Sequence, residues 1–405
     1  MIRISTGMIY DAGVRAINEQ TAAALKIQQQ AASGRRILTP SDDPVAAARA
    51  LVVSQAADVV TQYGANQENA KTALSLEDTQ LMNANDVLGQ VRDLAVKALN
   101  GSLSASDRQS IATQLRASYD QLLGIANSTD GTGQYLFSGY MGDTKPFAGA
   151  VGGAMQYAGD DGQRTLQVSA TRHLETSDSG LDIFQRIGNG NGTFTTDFGS
   201  NTGTGVIDGG TVTNPAAWSA PTSGSYTLRF TVSGGVTTYQ VYDGATAVAG
   251  LSGTYTSGQP IALPGSQVTV TGAPANNDTF TITPSSSQSV FDTISNLITA
   301  IEGASTTPAG QAAYQMDVGG AIGGIDRAAG NIMRVDTAVG SRLAEIDSLA
   351  TANSAVSLQY QQTLSNLQDV DMTQALSDLT RKQVELEAAQ KSFVATSKLS
   401  LFDYL

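Results

Sequence analysis

Apolar residues recur with two different periods along this chain, and the change of period marks its organisation. Leu74, Leu81, Leu88 and Ala95 are seven apart, and Ala84, Val91 and Ala98 follow three positions after the last three of them. Near the other end, Val318, Ile325, Ile332, Val339, Ile346, Asn353, Tyr360 and Leu367 repeat at the same interval. A second row there holds Ala321, Ala328, Val335, Leu349 and Val356, broken by Arg342. Rows of this kind are the a and d positions of coiled coils, and Asn353 is a polar a-type residue of the sort that sets register. Between about 133 and 285 the period drops to two. Tyr226–Val232 and Val236–Tyr242 alternate on either side of Ser233-Gly234-Gly235, a hairpin signal, and Val268–Gly272 and Asp278–Ile282 continue it. Tyr135–Gly139 and Thr165–Ala170 read as further hairpin strands attached to the helical part.

Punctuation divides the helical ends. Gly34 suits the position just past a helix, and Pro40 blocks continuation. Asp43-Pro44 restarts the helix with a carboxylate cap followed by proline at the first helical position. The pattern predicts helices over 5–33, 44–99 and 104–127, with Ile111, Leu115, Tyr119, Leu122 and Ala126 on one face of the third. From about 287 the chain is helical again, with Pro308 at the start of the long seam. A last helix from about Thr373 carries Leu376, Leu379, Leu386 and Phe393 in a stripe shared with Gln383, Gln390 and Ser397. The predicted class is α+β: a long α-helical coiled-coil stem built from both chain ends, a hairpin, and an inserted small antiparallel β domain. The expected division is 1–43 with 364–405 as a terminal assembly domain, 44–188 with 286–363 as the helical rod, and 189–285 as the insert.

Composition narrows the function. Of 405 residues, 23 are Lys or Arg and 36 Asp or Glu, a net charge of −13, which argues against a nucleic-acid partner. No apolar run approaches the roughly 20 residues of a membrane span, and the start carries no apolar signal core, so the chain is expected either to stay in the cytoplasm or to leave by a route that needs no cleaved signal. With no cysteine, thiol chemistry and Cys-ligated metals lose their residues, and a single histidine, His173, nearly excludes His-rich metal sites and a Ser-His-Asp triad with a spare base. His173 reads as an ordinary hairpin residue, Trp218 as core packing, and Asp160-Asp161-Gly162 as a turn without metal-loop spacing. No cofactor, no metal and no catalysis are expected.

Two end motifs carry a family resemblance. Ser33-Gly34-Arg35-Arg36-Ile37 followed by Ser41-Asp42-Asp43-Pro44 resembles the N-terminal signature of bacterial flagellins and their junction relatives. Asp371-Met372-Thr373-Gln374-Ala375, Leu386-Glu387-Ala388-Ala389-Gln390 and the closing Leu399–Leu405 resemble the hook-associated protein 3 family, as does Gly133–Gly139. Pro44 after the paired Asp, and Phe402-Asp403-Tyr404-Leu405 at the end, differ from flagellin itself. The resemblance implies an extracellular structural part of the flagellum, exported by the type III route. Its implied partners are other copies of itself in a ring, the hook-side junction protein (hook-associated protein 1), flagellin and an export chaperone. It implies no nucleic acid and no membrane insertion.

Residues expected at subunit contacts are Ile4 and Ile9; Arg35, Arg36, Asp42 and Asp43; and Leu376, Leu379, Leu386, Phe393, Leu399, Leu401, Phe402 and Leu405. The paired Asp should cap the helix at Pro44 and face Arg35 or Arg36 of the same or a neighbouring subunit. A short flagellin is the alternative function. A surface-binding role of the β insert is a more remote one.

Overall fold

A computed structural model describes residues 6–398. The predicted α+β class is what it contains. Helices α1 (Thr6–Ser33), α2 (Pro44–Ala98) and α3 (Ala105–Ala126) come first. Ser104 caps α3 in a reciprocal capping box with Asp107. The chain then enters its β region through β1 (Phe147–Ala148) with β2 (Gln156–Tyr157), and β3 (Thr165–Gln167) with β4 (His173–Glu175). A short α4 (Gly180–Phe184) follows, then β5 (Ile187–Gly188), β6 (Phe194–Phe198), β7 (Val206–Ile207), β8 (Thr211–Val212), β9 (Tyr226–Ser233), β10 (Val236–Asp243) and β11 (Thr246–Thr254). Next are β12 (Pro260–Leu263), β13 (Ser266–Thr271), β14 (Thr279–Pro284) and β15 (Ser287–Gln288). Helices α5 (Val290–Glu302), α6 (Pro308–Gln368) and α7 (Met372–Lys398) close the described chain.

Packing divides the protein into two compact units, residues 66–347 and the two ends outside that span. In the central unit the heptad rows are dry. Leu74, Leu81, Leu88 and Ala95 are buried, and so are Val318, Ile325, Ile332, Val339 and Ile346. Each large side chain so buried contributes about 1.5–3 kcal/mol of apolar transfer. Helix α5 is an element that the sequence reading leaves unseparated from α6. Ser289 caps it, and Phe291, Ile294, Leu297, Ile298 and Ile301 are buried, with Phe291 edge-on to Tyr119 of α3 at 5.6 Å.

Two strand expectations are corrected. Residues 135–139 form a largely buried turn rather than a strand, with a single bridge between Tyr135 and Thr129. Consecutive Leu136 and Phe137 are both buried, which a hairpin strand with one solvated face does not allow, and Phe137 meets Phe184 edge-on at 5.6 Å. The strand expected over 165–170 ends at Gln167 and turns back to β4, which contains His173.

The insert is entered and left through the β5–β15 pair, where Ile187 lies opposite Gln288. A five-stranded antiparallel sheet runs β11-β10-β9-β14-β6, and β13 pairs with β12, β7 and β8. The hairpin at Gly234-Gly235 pairs Ser233 with Val236 as the sequence indicates, both glycines having positive φ. Alternate residues Tyr226, Leu228 and Phe230 of β9 point inward onto Val268, Val270, Phe280 and Ile282. Trp218 stacks on Phe194 at 5.0 Å, so it does pack against this core.

Candidate assembly surface

The terminal unit is built differently from the central one. Its elements are α1, the first part of α2, the last part of α6 and α7. Among the described residues its buried apolar side chains are three alanines, Ala46, Ala50 and Ala375. Its larger apolar side chains stay half-covered or exposed. Tyr10 of α1 is 54% exposed, Val52 of α2 65%, Leu358 of α6 55% and Leu376 of α7 53%. Soluble monomers scatter single apolar residues over their surfaces, but a unit with exposed apolar residues on all four helices and no large buried one has a face to cover.

Helices α1 and α7 pair along one side each. Phe393 reaches α1, where its ring is edge-on to Tyr10 at 4.8 Å. Gly13 makes room for it: a Cβ there would sit 2.4 Å from the Phe393 ring. Lys382 donates to Gln20 at 3.3 Å. Leu379 and Leu386 share the Phe393 row, seven apart, and are half-buried. Leu376 begins the other row, with Gln383 and Gln390, and that row faces solvent. The single stripe read from the sequence is therefore two rows with different fates. Ile9 falls within α1, and the expectation on its side chain, like those on Ile4, Leu399, Leu401, Phe402 and Leu405, lies outside the described residues.

The turn between α1 and α2 is clasped to the turn between α6 and α7. Gly34 ends α1 with φ of 68°, and its carbonyl accepts from Val370 at 2.9 Å. Arg35 bridges Asp369 through the backbone. The Arg36 amide donates to Gln368 at 2.7 Å, and its guanidinium donates to the Leu367 carbonyl at 2.7 Å. Arg36 also pairs with Asp43 at 3.4 Å. Asp43 caps α2 as expected, its carboxylate accepting from Ala46 at 3.0 Å. Asp371 caps α7 in the same way, accepting from Thr373 at 2.9 Å.

Asp42 departs from the expectation of an arginine partner. Its Oδ2 accepts from the amides of Leu38 and Thr39, both at 3.0 Å, which turns Oδ1 toward Lys26 of α1 at 2.7 Å. Lys26 and those amides hold the Asp42 carboxyl down at about 2. The Ala46 amide, and then Arg36, hold Asp43 below its ordinary value. Both groups titrate lower folded than unfolded, so their contribution is complete above the ordinary 3.8 and is lost as pH falls below it, through about 2 in the case of Asp42. Amide protection at Leu38, Thr39 and Ala46, corrected for intrinsic exchange, should therefore hold at pH 4 and drop toward pH 2. Protection that is flat over that range would count against this account of the turn.

Other chemistry in the described residues is sparse. No group of three or more His, Cys, Asp or Glu is placed to hold a metal ion, and no helix is long and apolar enough to cross a membrane. A cleft of about 930 Å³ lies where β6 and β7 face α5 and the glycine-rich start of α6. Asp317 lines it, its carboxyl raised by desolvation and then by the charge of Asp197. The sequence reading missed a cluster around Glu77 in α2, a glutamate that is itself interior (2% exposed).

Residues 4–141 match the model of the bacterial flagellin N-terminal helical region. Hook-associated protein 3 of Salmonella typhimurium is 39% identical over 186 residues, 46% of this chain and 58% of that protein. The chain thus spans little more than half the length of the curated relatives it matches. Polar flagellin C of Vibrio parahaemolyticus is 26% identical over 47% of this chain and 47% of its own length. The crystal structure of hook-associated protein 3 from Legionella pneumophila superposes with a TM-score of 0.74 at 31% identity, covering 78% of this chain and 98% of that one.

Proposed function

The chain belongs to the flagellar hook-associated protein 3 family, and from that premise we propose that it is a structural junction subunit of the bacterial flagellum. In this reading copies form a ring outside the cell. The ring joins a hook-side junction protein, hook-associated protein 1, to the first flagellins, and no catalysis is involved. One observation carries it: among the described residues the terminal unit has only alanines in its interior, while α1, α2, α6 and α7 all display large apolar side chains. Such a unit completes its core by stacking against neighbours, and the ordering of the ends is then coupled to docking. Residues 1–43 and 364–405 are the assembly domain, 44–188 with 286–363 the rod, and 189–285 a surface insert. The contact set is Ile4 and Ile9, the turn residues Arg35, Arg36, Asp42 and Asp43, and the tail residues from Leu376 to Leu405. Arg36, Asp42 and Asp43 act by holding the turn. An export chaperone covers the apolar side of α7 before assembly.

The alternative, a short flagellin, is separated from this reading by what the purified chain builds. Under salt conditions that polymerise flagellin, the expected products are rings or short oligomers. Long filaments of this chain alone would overturn the junction reading. Removing 190–283 tests the insert. The β5–β15 pair holds the two cut ends side by side, so the remaining chain should still fold and join the flagellum. Loss of incorporation by the folded deletion variant would place a contact, and the surface-binding alternative, in the insert.

A further inference from the structure

Inside the central unit three acids compete for two cations. Glu77 is fully buried on α2. Its Oε1 accepts from the Asp178 amide at 3.0 Å, and its Oε2 has no partner among the described residues. Asp178, also buried, takes the one well-placed fork: Arg342 of α6 donates to its two oxygens at 2.7 and 3.1 Å, and Gln163 adds a third bond at 2.6 Å. Glu175 is the third acid, 3.8 Å from the Nε of Arg342. The other cation, Arg164, is turned toward the side chain of Gln134 and the carbonyl of Tyr135. Glu77 is left without a countercharge of its own. On its own helix the next residue, Asp78, meets a further acid, Asp336 of α6, one of whose oxygens is likewise buried without a partner.

We propose that Glu77 is a proton-operated latch: with its carboxyl neutral, residues 163–179 close against α2 and α6, and with it ionised that segment opens. A neutral carboxyl is the only form that this site can bury cheaply, because an ionised one would sit unpaired beside the Asp178 carboxylate. Burial first, and the Asp178 charge second, push Glu77 up to about 8. The closed segment is otherwise held by Gln67 to the Val168 carbonyl at 2.8 Å, Asn66 to the Gln167 carbonyl at 2.7 Å, and the Arg172–Glu345 pair. These bonds flank the latch on α2 and α6. The folded group titrates above its ordinary 4.5. Its contribution is therefore complete below that value and lost as pH rises through about 8. Folding takes up one proton at neutral pH, and the folding equilibrium weakens about tenfold per pH unit across that window from this residue alone.

The test compares full-length protein with the Glu77→Gln variant in urea unfolding, followed by helical circular dichroism from pH 5 to 9. Other titrating groups act equally in both, so the difference isolates Glu77. The wild type should lose about tenfold more per pH unit between 5 and 8 than the variant. Protection from hydrogen exchange in 163–179, corrected for intrinsic exchange, should also fall above pH 8 only in the wild type. Parallel profiles overturn the latch. Should the variant fail to fold, carboxyl-carbon NMR of glutamate-labelled wild type decides. One glutamate titrating near pH 8 supports the proposal, and all of them titrating in the ordinary carboxylate range overturns it.

Discussion

Phe393→Asp should abolish incorporation into the flagellum while leaving residues 66–347 folded. Phe393 is the largest side chain joining α7 to α1, and the glycine at position 13 exists in a helix where a Cβ would strike its ring. Half-burial of a phenylalanine is worth about 1–2 kcal/mol, and a carboxylate facing Tyr10 adds a desolvation cost. A unit whose interior, among the described residues, is three alanines has little else to oppose that loss. The central unit has its own core and should keep its unfolding midpoint. Circular dichroism should show a partial loss of helix, and electron microscopy should show flagellin shed without filaments. Phe393→Leu should retain assembly. Normal motility in the aspartate strain would remove α7 from the proposed interface.

Arg342→Met should destabilise the central unit by about 3–5 kcal/mol at pH 7, because removal of one partner leaves a buried charge uncompensated. Arg342 is mostly covered and forks the buried Asp178, with Glu77 beside it, so the variant would hold two buried acids and no fork. Arg342→Lys should recover only part of the loss, since one ammonium cannot reproduce two parallel bonds. Denaturant midpoints for the three proteins at pH 7 are the measurement, and equal midpoints would dismiss the fork as a stabilising contact.

Both experiments turn on residues that were partly legible beforehand. Arg342 is visible in the chain as the interruption of an otherwise apolar row. Glu77 is visible by the same logic: the row Ala84, Val91 and Ala98, extended back by seven, lands on it. Two interruptions of opposite charge were a signal that these rows share a polar cluster. The third member, Asp178, arrives from a loop about a hundred positions away, and no local pattern announces it. Asn353 was read as a polar position in the seam, and its amide donates to the Val60 carbonyl of α2 at 2.9 Å.

The chain's own residues determined where helices begin and end, because a cap, a proline and a positive-φ glycine act within one turn of themselves. Thus Gly34, Asp43-Pro44, Pro308 and Asp371 mark real boundaries. They also determined the family, through motifs at both ends, and the β hairpin at Gly234-Gly235. Tertiary structure alone decided which of two equivalent apolar rows on α7 is covered, since a heptad defines a stripe but not its partner. It decided that Leu136-Phe137 is a buried turn, that Asp42 answers to Lys26 instead of an arginine, and that Glu77 is buried beside another acid. Each of those outcomes depends on a group brought from a distant part of the chain, and burial and charge balance exist only once that group is in place.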